Sequence, residues 1–127
     1  MQIQREAAAE ARAHRDTARQ TIADIARFLQ DNFSQRVTAH IAGITDAKQV
    51  GKWCQELSTP RFESEVRLRT AYQVFQLIQQ AENCHTARAW MIGMNPQLED
   101  DAPLQAIAED RFKDVMAAAR VYLQGDL

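Results

Sequence analysis

Apolar residues recur three and four positions apart along most of the chain, and no run of period two is long enough to suggest a strand. From Arg5 to Gln30, Ala7, Ala11, Ala18, Ile22, Ile25 and Leu29 fall on one face, which predicts a helix whose first half is lined by alanine alone. Alanine favours helix but buries little area, so this half is expected to be solvated or to pair closely with a second copy. Ile22, Ile25, Phe28, Leu29 and Phe33 are large and mark a core helix. Asn32-Phe33-Ser34 interrupts the stripe, with Ser34 a candidate N-cap for a short helix to Ala42 that Gly43 closes at positive φ. The next helix, capped by Thr45 or Asp46, is predicted to reach Glu56. Val50, Trp53 or Cys54, and Leu57 form its apolar side, opposite Lys48, Gln49, Lys52 and Gln55.

Ser58-Thr59-Pro60 stops that helix, because proline cannot continue it. Glu63 to Ala81 carries the broadest stripe (Leu68, Ala71, Tyr72, Phe75 and Ile78, flanked by Val74 and Leu77) and reads as a central core helix. Asn83 or Thr86 caps a short helix bearing Trp90, Met91 and Ile92, and Asn95 to Asp101 reads as an acidic loop. Pro103 sits in the first turn of another helix. Arg111 to Gln124 places Phe112, Val115, Met116, Ala119, Tyr122 and Leu123 on one side and ends at Gly125. The fold class is all-α, with an Ala-rich N-terminal helix over 1–20, a helix-turn-helix module over 21–82 and a small helical domain over 83–127.

Composition narrows the function classes. At 127 residues, 46% hydrophobic and 25% charged, the chain has the make-up of a folded domain. It lacks the run of about 18 apolar residues that spans a bilayer, so no membrane partner is expected. The opening Met1 to Glu6 has no apolar secretory run, which makes the cytoplasm the expected location. Cys54 and Cys84 lie in different segments, and Cys84-His85 are adjacent, the wrong spacing for two zinc ligands; no metal or cofactor is expected. No nucleophile–base set, phosphate loop or framed carboxylate pair points to an enzyme.

The net charge of −2 argues against nucleic acid until it is divided along the chain. Residues 34–70 hold Arg36, Lys48, Lys52, Arg61, Arg67 and Arg69 against Asp46, Glu56, Glu63 and Glu65, a local +2. Residues 82–127 hold four basic and eight acidic side chains, a local −4. The basic stretch coincides with a short helix, glycine turn, short helix pattern. Ala39 is small enough for close helix approach, Gly43 makes the turn, and Ile44 plugs the angle between the helices. Val50 comes seven residues after Gly43 rather than the usual six, so the turn is one residue longer.

In a DNA complex Lys48, Gln49 and Lys52 are the candidates for the major groove, with Thr45 and Arg36 on phosphates and Arg61 extending the basic edge. Arg67 and Arg69 are expected to be solvated. So few charges imply weak binding by one copy, hence a homodimer or a larger hetero-oligomer on a paired site.

The run Ala89-Trp90-Met91-Ile92-Gly93-Met94-Asn95-Pro96-Gln97-Leu98, then Ala102-Pro103-Leu104, Asp110-Arg111-Phe112, Val115 and Ala117-Ala118-Ala119, resembles the toxin-binding domain of the Xre/MbcA/ParS antitoxin family. The resemblance spans about Thr86 to Leu123, and with the module upstream the family's two-part layout covers roughly Ile22 to Leu123. It implies an antitoxin of a type II toxin–antitoxin pair. The helix-turn-helix would bind operator DNA and repress transcription, and the C-terminal part would cover the active site of a RES-domain toxin that consumes NAD. Carried over by position, Trp90, Asn95, Pro96, Leu98 and Pro103 shape the toxin-binding domain. Ala102 stands where the family often has a capping serine, which leaves Asp101 to cap. The other readings are a helix-turn-helix regulator with no toxin partner, and a protein-interaction adaptor that does not bind DNA. On burial preference Trp90 and Leu98 suit a core better than a contact surface, and Asn95-Pro96 suits a turn.

Overall fold

The chain is all-helical across residues 2–125, the part described by the computed structural model. Eight helices follow one another among the described residues: α1 (Gln2–Arg19), α2 (Ile22–Phe33), α3 (Gln35–Ala42), α4 (Lys48–Cys54), α5 (Phe62–Ala81), α6 (Cys84–Ile92), α7 (Pro103–Ala108) and α8 (Phe112–Gln124). A single 3-10 turn, Pro96–Leu98, lies between α6 and α7. The broad stripe of α5 has the expected consequence: α1, α2, α3, α6, α7 and α8 all pack around it. Leu68, Ala71, Val74, Phe75, Leu77 and Ile78 have no solvent exposure. Phe28 of α2 meets both Tyr72 and Phe75 edge-on, with ring centroids 5.0 and 4.9 Å apart, the geometry aromatic quadrupoles prefer. One buried cluster runs from Ala13 of α1 to Ala119 of α8.

The first helix differs from its expected form twice. It does not continue to Gln30, because Thr21 accepts a hydrogen bond from the Asp24 backbone N–H and starts α2 afresh. Nor is the expected stripe its packing face: Ala7, Ala11 and Ala18 are exposed, as a solvated stripe would be, and α1 packs through another face. Ala13 is fully buried, Thr17 nearly so, and α1 lies against α5 and α8. Small side chains let α1 sit close to α5, and Arg69 of α5 then donates to the carbonyls of Thr17 and Gln20, both at 3.0 Å. The Thr17 carbonyl otherwise has only the Gln20 N–H at 3.3 Å, and the Gln20 carbonyl lies just past the end of α1, so Arg69 supplies donors that a continuing helix would give.

Arg67 and Arg69 are therefore ties between elements, not solvated positions. Arg67 donates through Nη1 to the Ala42 carbonyl (2.9 Å) and through Nε and Nη2 to both oxygens of Asp110 (2.8 and 3.1 Å). The end of α3 and the α7–α8 turn are thus held by one guanidinium. Both ends close the same way. Ile44 N–H bonds the Ala39 carbonyl across a left-handed Gly43 (φ 80°), and Arg111 N–H bonds the Ala106 carbonyl across a left-handed Asp110 (φ 64°). His40 adds a second link between these regions, its Nε2 lying 2.6 Å from Gln105 Oε1.

Helix α4 is shorter than its periodicity suggests. It stops at Cys54, where Leu57 N–H bonds the Lys52 carbonyl across a left-handed Glu56 (φ 60°). That turn throws Leu57 outward, 71% exposed instead of packed on the apolar side; Val50, Trp53 and Cys54 are all buried. At its start neither Thr45 nor Asp46 is the N-cap residue, which is Ala47, although Asp46 Oδ1 accepts from the Lys48 N–H. Ser34 and Asn83 cap α3 and α6 as their side chains allow, accepting from Val37 N–H and Thr86 N–H.

Candidate nucleic-acid interface and partner-binding segment

The unit α3–Gly43–α4 presents its charge outward. Lys48 and Lys52 are four apart on α4, and both are exposed, as are Arg36 at the start of α3 and Thr45 in the turn. Beneath them Val50 and Trp53 are buried, while Ile44 packs partly against the core. Arg27 of α2 donates to the Cys54 carbonyl and pairs with Asp24, so the end of α4 is fastened to the helix behind it. The bond to Arg27 holds the Asp24 carboxyl below the ordinary carboxylate range. Burial pushes the Cys54 thiol up, which makes it a poor nucleophile.

Gln49 departs from the two lysines. It is half-buried and lines a cleft of about 530 Å³ that opens between the α3–α4 turn and the start of α5. Trp53, Thr59, Arg61 and Glu63 line the same cleft, and Arg67 closes its inner end against Gly43. Arg61, read from the sequence as extending the basic edge, is exposed at this cleft. Gln49 and Trp53 are one turn apart on α4, whereas Thr59 carried no functional signal in the sequence, because only the course of the chain after α4 brings it to the same cleft.

The C-terminal segment is organised around Asn95. Its Oδ1 accepts from the Gln97 N–H (2.9 Å), and its carbonyl accepts from both Leu98 N–H and Asp100 N–H (2.9 Å each). Its own N–H returns to the Asp101 carbonyl at 3.2 Å, so Asn95 to Asp101 is a closed loop. Leu98 and Pro103 are buried, Pro96 is exposed, and Trp90 is half-buried with its ring 6.1 Å from that of Tyr122. Asp101 does not cap α7, which has no side-chain cap; its carboxylate lies 3.3 Å from Arg111. Arg111 also reaches Glu99 and Asp114, so three acidic side chains of this segment share one guanidinium. Ile92 and Met94, beside the loop, are 60% and 78% exposed, an apolar pair that helical patterning assigned no role.

Among the described residues no group of three or more His, Cys, Asp or Glu side chains converges on a metal-sized site, and no helix is long and apolar enough to cross a membrane. No family model matches the chain, and no curated protein or solved structure is matched by it.

Proposed function

We propose that this chain is the antitoxin of a type II toxin–antitoxin pair. In this reading α3, Gly43 and α4 form a helix-turn-helix that binds operator DNA, and residues 83–127 bind and neutralise a RES-type toxin. The observation that carries the reading is the behaviour of the resemblance-bearing residues as one unit. Asn95 closes the N-P-x-L loop, Leu98 and Pro103 anchor it in the core, and Val115, Ala118 and Ala119 of α8 are buried beneath. These positions therefore build a surface-presenting module, and the residues that would touch a partner are their exposed neighbours. Ile92 and Met94 supply apolar area, and Glu99 and Asp100 supply charge suited to a basic cleft.

The DNA arm of the reading is supported by the orientation of Lys48 and Lys52, which point to solvent from a helix whose opposite face is fixed in the core. A seven-residue α4 is about two turns long, which limits base contacts to few side chains. Two such modules on a paired site then supply the affinity that one lacks.

Co-expression with the product of the adjacent reading frame tests the proposal. The two proteins should co-purify as a complex, and Met94→Glu, which places charge on exposed apolar area without touching the core, should separate them. Independent purification of both folded proteins would refute it.

A further inference from the structure

We propose that the cleft beside the α3–α4 turn is a binding site for a phosphate ester, held by Arg61, Trp53, Gln49 and Thr59. The proposal rests on the DNA-binding reading only for the source of the phosphate. The residues lining the cleft are rich in unused donors. Trp53 is 5% exposed, and its indole N–H has no hydrogen-bond partner among the described residues. It is not one of the sealed unpartnered atoms, which among the described residues are Ser58 Oγ and Gln79 Oε1, so the N–H lies at the exposed edge of the ring. Among the described residues the Gln49 amide and the Thr59 hydroxyl make no hydrogen bond, and Arg61 has no ion pair. The second arginine of the cleft, Arg67, is committed to Asp110 and the Ala42 carbonyl.

An indole N–H at the exposed edge of an otherwise buried ring is free to donate to an acceptor in the cleft. Four donors from α4 and the 59–61 segment surround one space, and a tetrahedral anion accepts from several directions at once, with a guanidinium reaching two oxygens. Glu63 is the one carboxylate lining the cleft, and it opposes an anion. Its effect is limited because it faces Arg67, whose charge it helps to balance. Since Gln49 lies on the same helix as Lys48 and Lys52, a phosphodiester of duplex DNA can enter the cleft while the lysines face the groove. A free phosphorylated compound offers the same chemistry.

The test uses the full chain with Trp90→Phe, so that Trp53 is the sole tryptophan, titrated with a random-sequence duplex at low salt and separately with inorganic pyrophosphate. Trp53 emission should change on binding duplex. Arg61→Gln should weaken duplex binding about tenfold, the scale of one charge-assisted hydrogen bond, and should lower the salt slope of log K by about 0.9. Trp53→Phe, which leaves no tryptophan and is followed by the anisotropy of a labelled duplex, should weaken binding with the slope unchanged, since the lost donor is neutral, and Glu63→Gln should tighten it. If pyrophosphate gives these responses and duplex does not, the site stands, its phosphate comes from a free compound, and the DNA reading falls. If Lys48→Ala and Lys52→Ala weaken duplex binding while Arg61→Gln and Glu63→Gln change nothing, the site is overturned and the DNA reading stands. Silence of Trp53 toward both ligands also overturns it. Arg61 and Glu63 are exposed, so their variants keep the fold.

Discussion

Replacing Gly43 by alanine should destabilise the protein by about 3 kcal/mol, by two separable routes. The first is the backbone: Gly43 has φ 80°, and a residue with a Cβ in the left-handed region costs about 1–2 kcal/mol. The second is Arg67, whose Nη1 would lie 2.5 Å from the new Cβ. That distance is below any real contact, so the guanidinium must move off the Ala42 carbonyl. Ser64 Oγ still donates to the same carbonyl at 2.7 Å, which places the loss at the low end for a charged hydrogen bond, about 1.5 kcal/mol. The two routes separate in a double-mutant cycle with Arg67→Ala. Without the guanidinium, Gly43→Ala should cost only the backbone part, leaving a coupling of about 1.5 kcal/mol. Urea unfolding followed by circular dichroism measures all four proteins, with equal slopes as the check on two-state behaviour. A coupling below about 0.5 kcal/mol, within the usual error of additivity, would refute the role given to Arg67.

Arg69→Met keeps the aliphatic stem but removes both donors to the Thr17 and Gln20 carbonyls. It should cost about 2 kcal/mol and speed amide exchange in α1 ahead of α5, which hydrogen-exchange mass spectrometry resolves. Acid should act through Asp110, whose carboxyl is held low by its hydrogen bonds to Arg67. A folded value below the unfolded one, near 3.9, gives stability that is present above about pH 4 and lost as pH falls through the folded value. Asp110→Asn should therefore lower the urea midpoint at neutral pH, and its gap from wild type should close in acid; a constant gap would contradict the pairing. Thiol labelling near pH 8 should be fast at the half-buried Cys84 and should occur at Cys54 only on unfolding, because burial raises the latter thiol.

Signals local to a few residues were legible in the sequence. Ser34, Asn83, Gly43 and Gly125 each act through their own backbone or side chain within one turn, and each marks a helix boundary as read, whereas Pro60 does not stop α4, which has already ended at Cys54. The break at Thr21 was hidden because Ala18, Ile22, Ile25 and Leu29 keep helical spacing straight across it. The cap there is a hydrogen bond that periodicity does not register. Leu57 misled for the related reason that spacing continues past the left-handed Glu56 that ends α4. Arg67 and Arg69 could not be assigned from local pattern, since their partners lie 43 and 52 residues away in sequence. The candidate interface divides similarly. The outward Lys48 and Lys52 and the one-turn spacing of Gln49 and Trp53 follow from helical periodicity, whereas the arrival of Thr59 and Arg61 at the same cleft depends on the course of the chain between α4 and α5.

The most direct test of the antitoxin proposal is the NAD content of cells expressing the product of the adjacent reading frame, which the proposal assigns as a RES-type toxin, with and without this protein. The proposal predicts that NAD collapses with the toxin alone and stays at the control level when the protein is co-expressed. It also predicts that Met94→Glu restores the collapse while Lys48→Ala does not. Equal depletion of NAD in the presence of soluble, folded wild-type protein would contradict the account.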